Sequence, residues 1–219
     1  MIDKKTRIKL RSLASTIKPI VWVGKDGFTD NVLNQISEEL FNHAVSALSE
    51  YCGDDFSVSM ALLLHEIGDQ EADGVLRRLK FDNSTRHRVV CAIKYHKQII
   101  LETRPEVKRW MRKLGADDFL RVLKVKLFIH YDSMVYAGNA IRCMKIMERV
   151  LKDRDCYTLY SLYFTGHDVL ACGIPEGKTC GEVLNKLLDM VIDGEVENEY
   201  SALKAAVIEM IKSGDYCLA

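Results

Sequence analysis

Two glycine-punctuated stretches carry the residue types best suited to gripping phosphate. In Gly24-Lys25-Asp26-Gly27, two glycines flank a lysine and an aspartate just ahead of a helical stretch. Glycine lets backbone pass close to an anion, and a helix amino terminus offers unbonded N–H groups and the positive end of the helix dipole. Lys25 adds a point charge. Near the carboxyl end, Gly173-Ile174-Pro175-Glu176-Gly177-Lys178-Thr179-Cys180-Gly181 leads into an amphipathic helix from about Thr179. There Gly177, Lys178 and Gly181 would aim backbone amides outward, a geometry that holds phosphate without reading a base sequence. Both stretches also have a plainer reading: an ordinary turn for the first and a tight joint between packed helices for the second.

The charge pattern bears on the same chemistry. The 219 residues balance 31 Lys and Arg against 31 Asp and Glu, yet the charges are sorted into blocks. Residues 1–26 carry a net +5, 27–76 a net −10, 77–126 a net +10 and 127–219 a net −5. The third block holds Arg77, Arg78, Lys80, Lys108, Arg109, Arg112 and Lys113, cations of the kind a phosphate backbone recruits. The alternative is that the blocks neutralise one another on the folded surface. Aromatic residues at 157–164, with Trp22 and Phe28, could stack on bases; burial in a core or joint is the competing role.

The elements that must position these residues are mostly helices. Apolar spacing at Ile8, Leu10, Leu13, Ala14 and Ile17 predicts a helix over residues 4–17, which Pro19 ends. Ile20-Val21-Trp22-Val23 reads as a short strand, and Thr29 or Asp30 can cap a helix from about 31 to 40. Helical periodicity follows at 41–51, 57–67, 71–80, 83–101, 104–114, 117–128, 130–151, 180–193 and 199–213. Gly68, Gly115 and Gly194 fall near helix ends, while Gly138 falls inside one. The expected fold is mainly α: a multi-helix array preceded by a short helix, strand, Gly-x-x-Gly loop and helix. Apolar runs such as Met60–Leu64 are far too short to span a bilayer. Seven cysteines without a C-x-x-C pair argue against a disulfide framework and for a reducing, cytoplasmic setting.

Particular motifs suggest relatives. The run from Leu10 through Gly24-Lys25-Asp26-Gly27 to Leu33 resembles the opening of the YhbY-type RNA-binding domain, a KH-like fold with a backbone-clamping Gly-x-x-Gly loop. This resemblance covers about the first 40 residues, and the strands that should follow are replaced by helical sequence. Further on, Gly166, Asp168, Gly173, Ile174, Gly177, Gly181, Gly194 and Asn198 match the closing pattern of bacterial CCA-adding tRNA nucleotidyltransferases and related poly(A) polymerases. Ala61-Leu62-Leu63-Leu64-His65-Glu66-Ile67-Gly68, Leu76–Phe81 and Lys94-Tyr95-His96 resemble the family's upstream helices.

The resemblance implies three segments: 1–40 as a partial YhbY/KH-like segment, 41–150 as an HD-like helical body, and 151–219 as a helical tail of the tRNA-binding kind. It implies tRNA or another structured RNA as partner. In that family a separate head transfers the nucleotide, using a Gly-Gly turn and an Asp-x-Asp pair for two metal ions. Asp153-Arg154-Asp155 has the spacing but no preceding strand or Gly-Gly turn. The expectation is an RNA-binding chain, not a polymerising enzyme, with a separately encoded nucleotidyltransferase head as an alternative partner.

His43, His65-Glu66 and Asp132 fall where HD-type hydrolases place their His, His-Asp and Asp ligands. That resemblance implies a divalent metal ion as cofactor and a metal-dependent phosphohydrolase as the rival function. Glutamate replaces the usual aspartate, and its extra methylene shifts the carboxylate by about 1.5 Å, where metal sites tolerate about 0.2 Å without rearrangement. His96 and His167 are read as ordinary.

Overall fold

The computed structural model describes residues 30–131 and 133–213. The predicted helix at 4–17, the strand-like run at 20–23 and the loop from Gly24 to Gly27 lie outside the described residues. So do Trp22, Phe28 and Asp132.

Every regular element among the described residues is helical. In chain order they are α1 (Asp30–Glu50), α2 (Phe56–Leu64), α3 (Asp69–Arg78), α4 (Asn83–Tyr95), α5 (Arg104–Leu114), α6 (Ala116–Ile129), α7 (Tyr136–Lys152), α8 (Gly166–Ala171), α9 (Lys178–Asp193) and α10 (Tyr200–Lys212). Short 3-10 turns at His65–Ile67 and Leu159–Ser161 complete the set. The mainly α, multi-helix fold expected from the periodicity is what forms.

Local chemistry explains most boundaries. Asp55 caps α2 by accepting from the Ser57 N–H at 2.9 Å, and Asp82 caps α4 through Thr85 at 2.9 Å. Thr103 opens α5, with Pro105 in the first turn, where its missing N–H costs nothing. Gly115 at φ +82° breaks α5 from α6, and Gly194 ends α9 in the left-handed region at φ +77°, backbone that other residues adopt only at a cost.

Three boundaries differ from the sequence reading. The segments at 31–40 and 41–51 are one helix, α1, which runs across the division drawn between residues 40 and 41. The helix expected at 83–101 stops at Tyr95. Residues beyond it leave the helix because Asn139 of α7 satisfies their backbone: its amide donates to the Ile100 carbonyl at 2.7 Å and its oxygen accepts from the Ile100 N–H at 3.3 Å. Lys126 adds a 2.7 Å bond to the Gln98 carbonyl. The helix expected at 130–151 begins only at Tyr136, after a turn in which Ser133 N–H bonds back to the His130 carbonyl at 2.9 Å.

Three apolar clusters hold the array. Val58, Ala61, Leu62, Leu76, Val89 and Val125 join α2, α3, α4 and α6. Val107, Met111, Phe119, Leu123, Ala140 and Met147 join α5, α6 and α7. Val169, Ile174, Leu187, Leu188, Ile192 and Leu203 form a separate cluster among the helices from 166 onward. The last group is tied to the rest by charge. Arg109 bonds Asp193, and Arg112 reaches Asp189 at 2.7 Å and Asn185 at 2.5 Å. At the junction, Arg104 bonds Asp153 at 2.6 Å and Asp155 at 2.6 Å, and Lys108 meets Asp155 at 3.3 Å. The six cysteines among the described residues are free thiols.

Candidate metal centre and nucleic-acid interface

His65 sits at the first position of the 3-10 turn that interrupts α2 and α3. Its Nδ1 lies 2.7 Å from the Leu62 carbonyl, which can only accept, so Nδ1 carries the proton and Nε2 presents a lone pair. Burial disfavours the imidazolium and holds the His65 pKa below its usual value. Nε2 faces Glu66 Oε1 at 3.0 Å and His43 Nδ1 at 3.3 Å, and His43 Nδ1 meets the same carboxylate oxygen at 2.6 Å.

These three ligand atoms lie within 4.8 Å of one another. Their spacing is close to the ~3.3 Å edge of a tetrahedron with metal–ligand bonds of about 2.0 Å. His65 is 4% exposed, while His43 and Glu66 reach the surface, so the cluster has a buried anchor and an open side. The donor set of two imidazoles and a carboxylate suits a divalent ion. The longer glutamate does not miss the cluster: the tight turn at His65–Ile67 brings its oxygen back to both imidazoles. Of the four residues expected, the structure brings together His43, His65 and Glu66; Asp132 is outside the described residues.

Behind the cluster runs a row of rings that the sequence reading treated as ordinary or passed over. His65 lies edge-on to His96 at 5.9 Å, His96 stacks on His130 at 5.7 Å, and His130 stacks on Tyr136 at 4.6 Å. His96 donates Nδ1–H to the Ile93 carbonyl at 2.6 Å. Its Nε2 is buried without a hydrogen-bond partner among the described residues. Burial pushes the His96 pKa down to about 4, so the ring is neutral at physiological pH. Spacings of 31 and 34 residues between these histidines gave no helical or strand signal by which to join them.

The cations expected to meet RNA divide into two groups. Lys108 is buried and engaged with Asp155, and Arg109 and Arg112 bond α9. Much of the basic block is therefore paired with acidic residues of the flanking blocks, as in the alternative of internal neutralisation. Arg77 bonds Asp73 at 3.0 Å yet stays 67% exposed. Arg78, Lys80, Arg88, Lys94, Lys97 and Lys113 are exposed and have no carboxylate in ion-pairing range among the described residues.

The carboxyl-terminal glycine turn faces outward. Gly177, at φ +122°, precedes α9, and neither it nor Gly181 has a heavy atom within 4 Å of where a Cβ would stand. An open cleft of about 540 Å³ runs past Gly166, His167, Gly177 and Gly181. Its electrostatics are mixed, because Lys178 pairs with Glu182 at 3.3 Å and Glu176 lines the cleft. Of the aromatics proposed to stack, Phe164 is 1% exposed and belongs to the core, whereas Tyr160 is fully exposed and Tyr163 is 72% exposed.

Tyr95 and Trp110 were missed as candidate stacking residues. The signal was present: each sits beside a lysine in the basic block, Lys94 directly and Lys113 three residues on.

A family model described as tRNA nucleotidyltransferase domain 2 matches residues 56–207, and one described as the CRS1 / YhbY (CRM) domain matches residues 2–48. No curated protein and no solved structure matches the chain. Among the described residues no helix is long and apolar enough to cross a membrane.

Proposed function

The chain belongs to the tRNA nucleotidyltransferase domain 2 family, and we propose on that premise that it binds structured RNA, tRNA first, through the phosphate backbone. The observation that carries this reading is that Arg78, Lys80, Arg88, Lys94, Lys97 and Lys113 are exposed and, among the described residues, have no carboxylate in ion-pairing range once the block-to-block ion pairs have formed. Phosphate neutralisation by such groups releases counterions and makes affinity steeply salt-dependent. Arg77, Gly24, Lys25, Gly27 and the turn at Gly177, Lys178 and Gly181 remain candidates for the same surface. The three segments 1–40, 41–150 and 151–219 are the proposed division of the chain, with the exposed cations of the middle one and the glycine turns of the outer two contributing to RNA binding. Titration of labelled tRNA at several salt concentrations tests the reading. A flat salt response or no binding rejects it. Purification from cells would reveal a separately encoded nucleotidyltransferase head as a second, stoichiometric chain.

A second reading rests on the convergence of His43, His65 and Glu66. We propose these as ligands of a divalent metal ion in a phosphohydrolase of the HD type, with Asp132 as a further ligand. When bound there, such an ion would lower the pKa of coordinated water towards 7 and polarise a phosphoryl oxygen. The chain's own contribution is the tautomer: the Leu62 carbonyl keeps the His65 proton on Nδ1 and leaves Nε2 as the ligand atom. Metal analysis together with phosphodiesterase and phosphatase assays tests this, and absence of both metal and activity ends it.

A further inference from the structure

The groove between α4 and α5 brings two lysines, unpaired among the described residues, onto two aromatic rings. A cleft of about 350 Å³ opens there, lined by His87 and Lys94 of α4 and Lys113 of α5, a size at the lower end of ligand sites. Tyr95 stands edge-on to Trp110, with centroids 5.4 Å apart and an interplanar angle of 77°. Trp110 is itself stacked on buried Phe119 at 6.1 Å and donates Nε1–H to Glu106 at 3.1 Å. The rings are therefore held in place from behind. Lys113 Nζ lies 4.5 Å from the Tyr95 centroid and 4.6 Å from that of Trp110, and Lys94 Nζ lies 5.6 Å from Tyr95.

Three nearby carboxylates are already engaged. Asp73 is held by Arg77 and Arg86, Asp118 by Arg121, and Glu106 by Trp110 and Arg109. Among the described residues Lys94 and Lys113 have no such partner, so the cleft sets two cations beside an aromatic surface. An exposed lysine resting on a ring is weakly held, since a cation–π contact at a wet site contributes little. It can swing to a phosphate while a planar group takes its place on the ring.

We propose that this cleft holds one unpaired, unstacked nucleotide of the bound RNA. The base lies against Tyr95, which lines the cleft, with Trp110 edge-on to that ring in a smaller pocket that shares Lys113, and Lys94 and Lys113 take the two flanking phosphates. Aromatic rings beside cations make a sequence-tolerant site of this kind. A base inside an A-form helix is already stacked and cannot reach the rings, so the cleft selects single-stranded segments over duplex. This inference rests on the RNA-binding reading and adds to it a specific site and a preference.

The test uses the full chain carrying Trp22→Phe, which leaves Trp110 as the sole indole of the two present. A single-stranded RNA hexanucleotide, the same sequence as duplex, tRNA and poly-glutamate are titrated against tryptophan emission. The expected result is quenching by the hexanucleotide and by tRNA, with the duplex at least tenfold weaker. Lys94→Gln/Lys113→Gln, both at exposed positions, should lower hexanucleotide affinity about tenfold and reduce its log–log salt slope by about 1.4, the value for two phosphates on single strands. If tRNA binds but the hexanucleotide leaves emission unchanged and the double variant binds tRNA as well as its parent, the cleft is overturned while RNA binding stands. Poly-glutamate quenching as strongly as RNA would reassign the cleft to an acidic peptide and overturn the proposal. If neither tRNA nor hexanucleotide binds, both readings fall together.

Discussion

His65 and Glu66 are adjacent in the chain, yet their side chains point at one spot, with Nε2 and Oε1 3.0 Å apart. Neighbours on an α-helix diverge by about 100° and do not face one another. The 3-10 turn at His65–Ile67 and the bond from His65 to the Leu62 carbonyl swing the imidazole round to its neighbour. His43, from α1, then closes the group.

Metal affinity should depend on this geometry. Zinc or manganese added to the purified protein should bind with one equivalent, and His65→Ala should weaken binding at least a hundredfold. Glu66→Asp, which restores the commoner aspartate, should weaken it about tenfold, because the shorter side chain withdraws from His43. Competition with a chromogenic chelator measures both. Tighter binding by Glu66→Asp would show that the present glutamate position is not the coordinating one.

RNA binding should respond differently to the two classes of cation. Arg78→Gln/Lys80→Gln/Arg88→Gln should weaken tRNA binding by one to two orders of magnitude and make the salt slope shallower. Arg112→Gln should change RNA affinity less than threefold, since that guanidinium is spent on Asn185 and Asp189. Filter binding at two salt concentrations separates these outcomes.

The junction before the tail should be acid-sensitive. Burial pushes the Asp155 carboxyl up, but the bonds from Arg104 and the charge of Lys108 outweigh it and hold its pKa below the ordinary value. A depressed carboxylate stabilises the fold above its unfolded pKa of about 3.9, and that stability is lost as pH falls through the folded value. Asp155→Asn should cost about 2 kcal/mol at pH 7, because it leaves Lys108 buried without its partner. The difference between variant and parent should shrink below about pH 4. Urea melts at pH 7 and pH 3 give the comparison.

Buried Lys126 should make Asn139 hard to replace. Lys126 is 0% exposed, and its ammonium is held by Asn139 and the Gln98 carbonyl. Asn139→Leu removes one of those partners and strands the Ile100 backbone as well, so it should cost about 3–5 kcal/mol. Lys126→Met, which removes the charge and keeps most of the volume, should cost less. Chemical denaturation reads both.

Much of the helical layout was legible in the sequence because its determinants are local. Asp82 and Thr103 cap helices within three residues of themselves, and Gly115 and Gly194 stop helices through their own backbone angles. Where a boundary depended on a distant residue, the reading failed: nothing near Tyr95 announces that Asn139, 39 residues beyond Ile100, will draw the chain out of its helix.

What the sequence determined by itself was a mainly α chain, its glycine stops, its segregated charges and its kinship, all carried by spacing within a few turns or by motif. Tertiary structure decided which charges meet. Arg109 and Asp193 are 84 residues apart, Arg112 and Asp189 are 77 apart and Arg104 and Asp155 are 51 apart, and only folding shows that they meet. It also decided that His43 joins His65 and Glu66 and that Tyr95 meets Trp110. The physical reason is that helical periodicity states which face is buried but not which helix covers it, and a site is made by that covering.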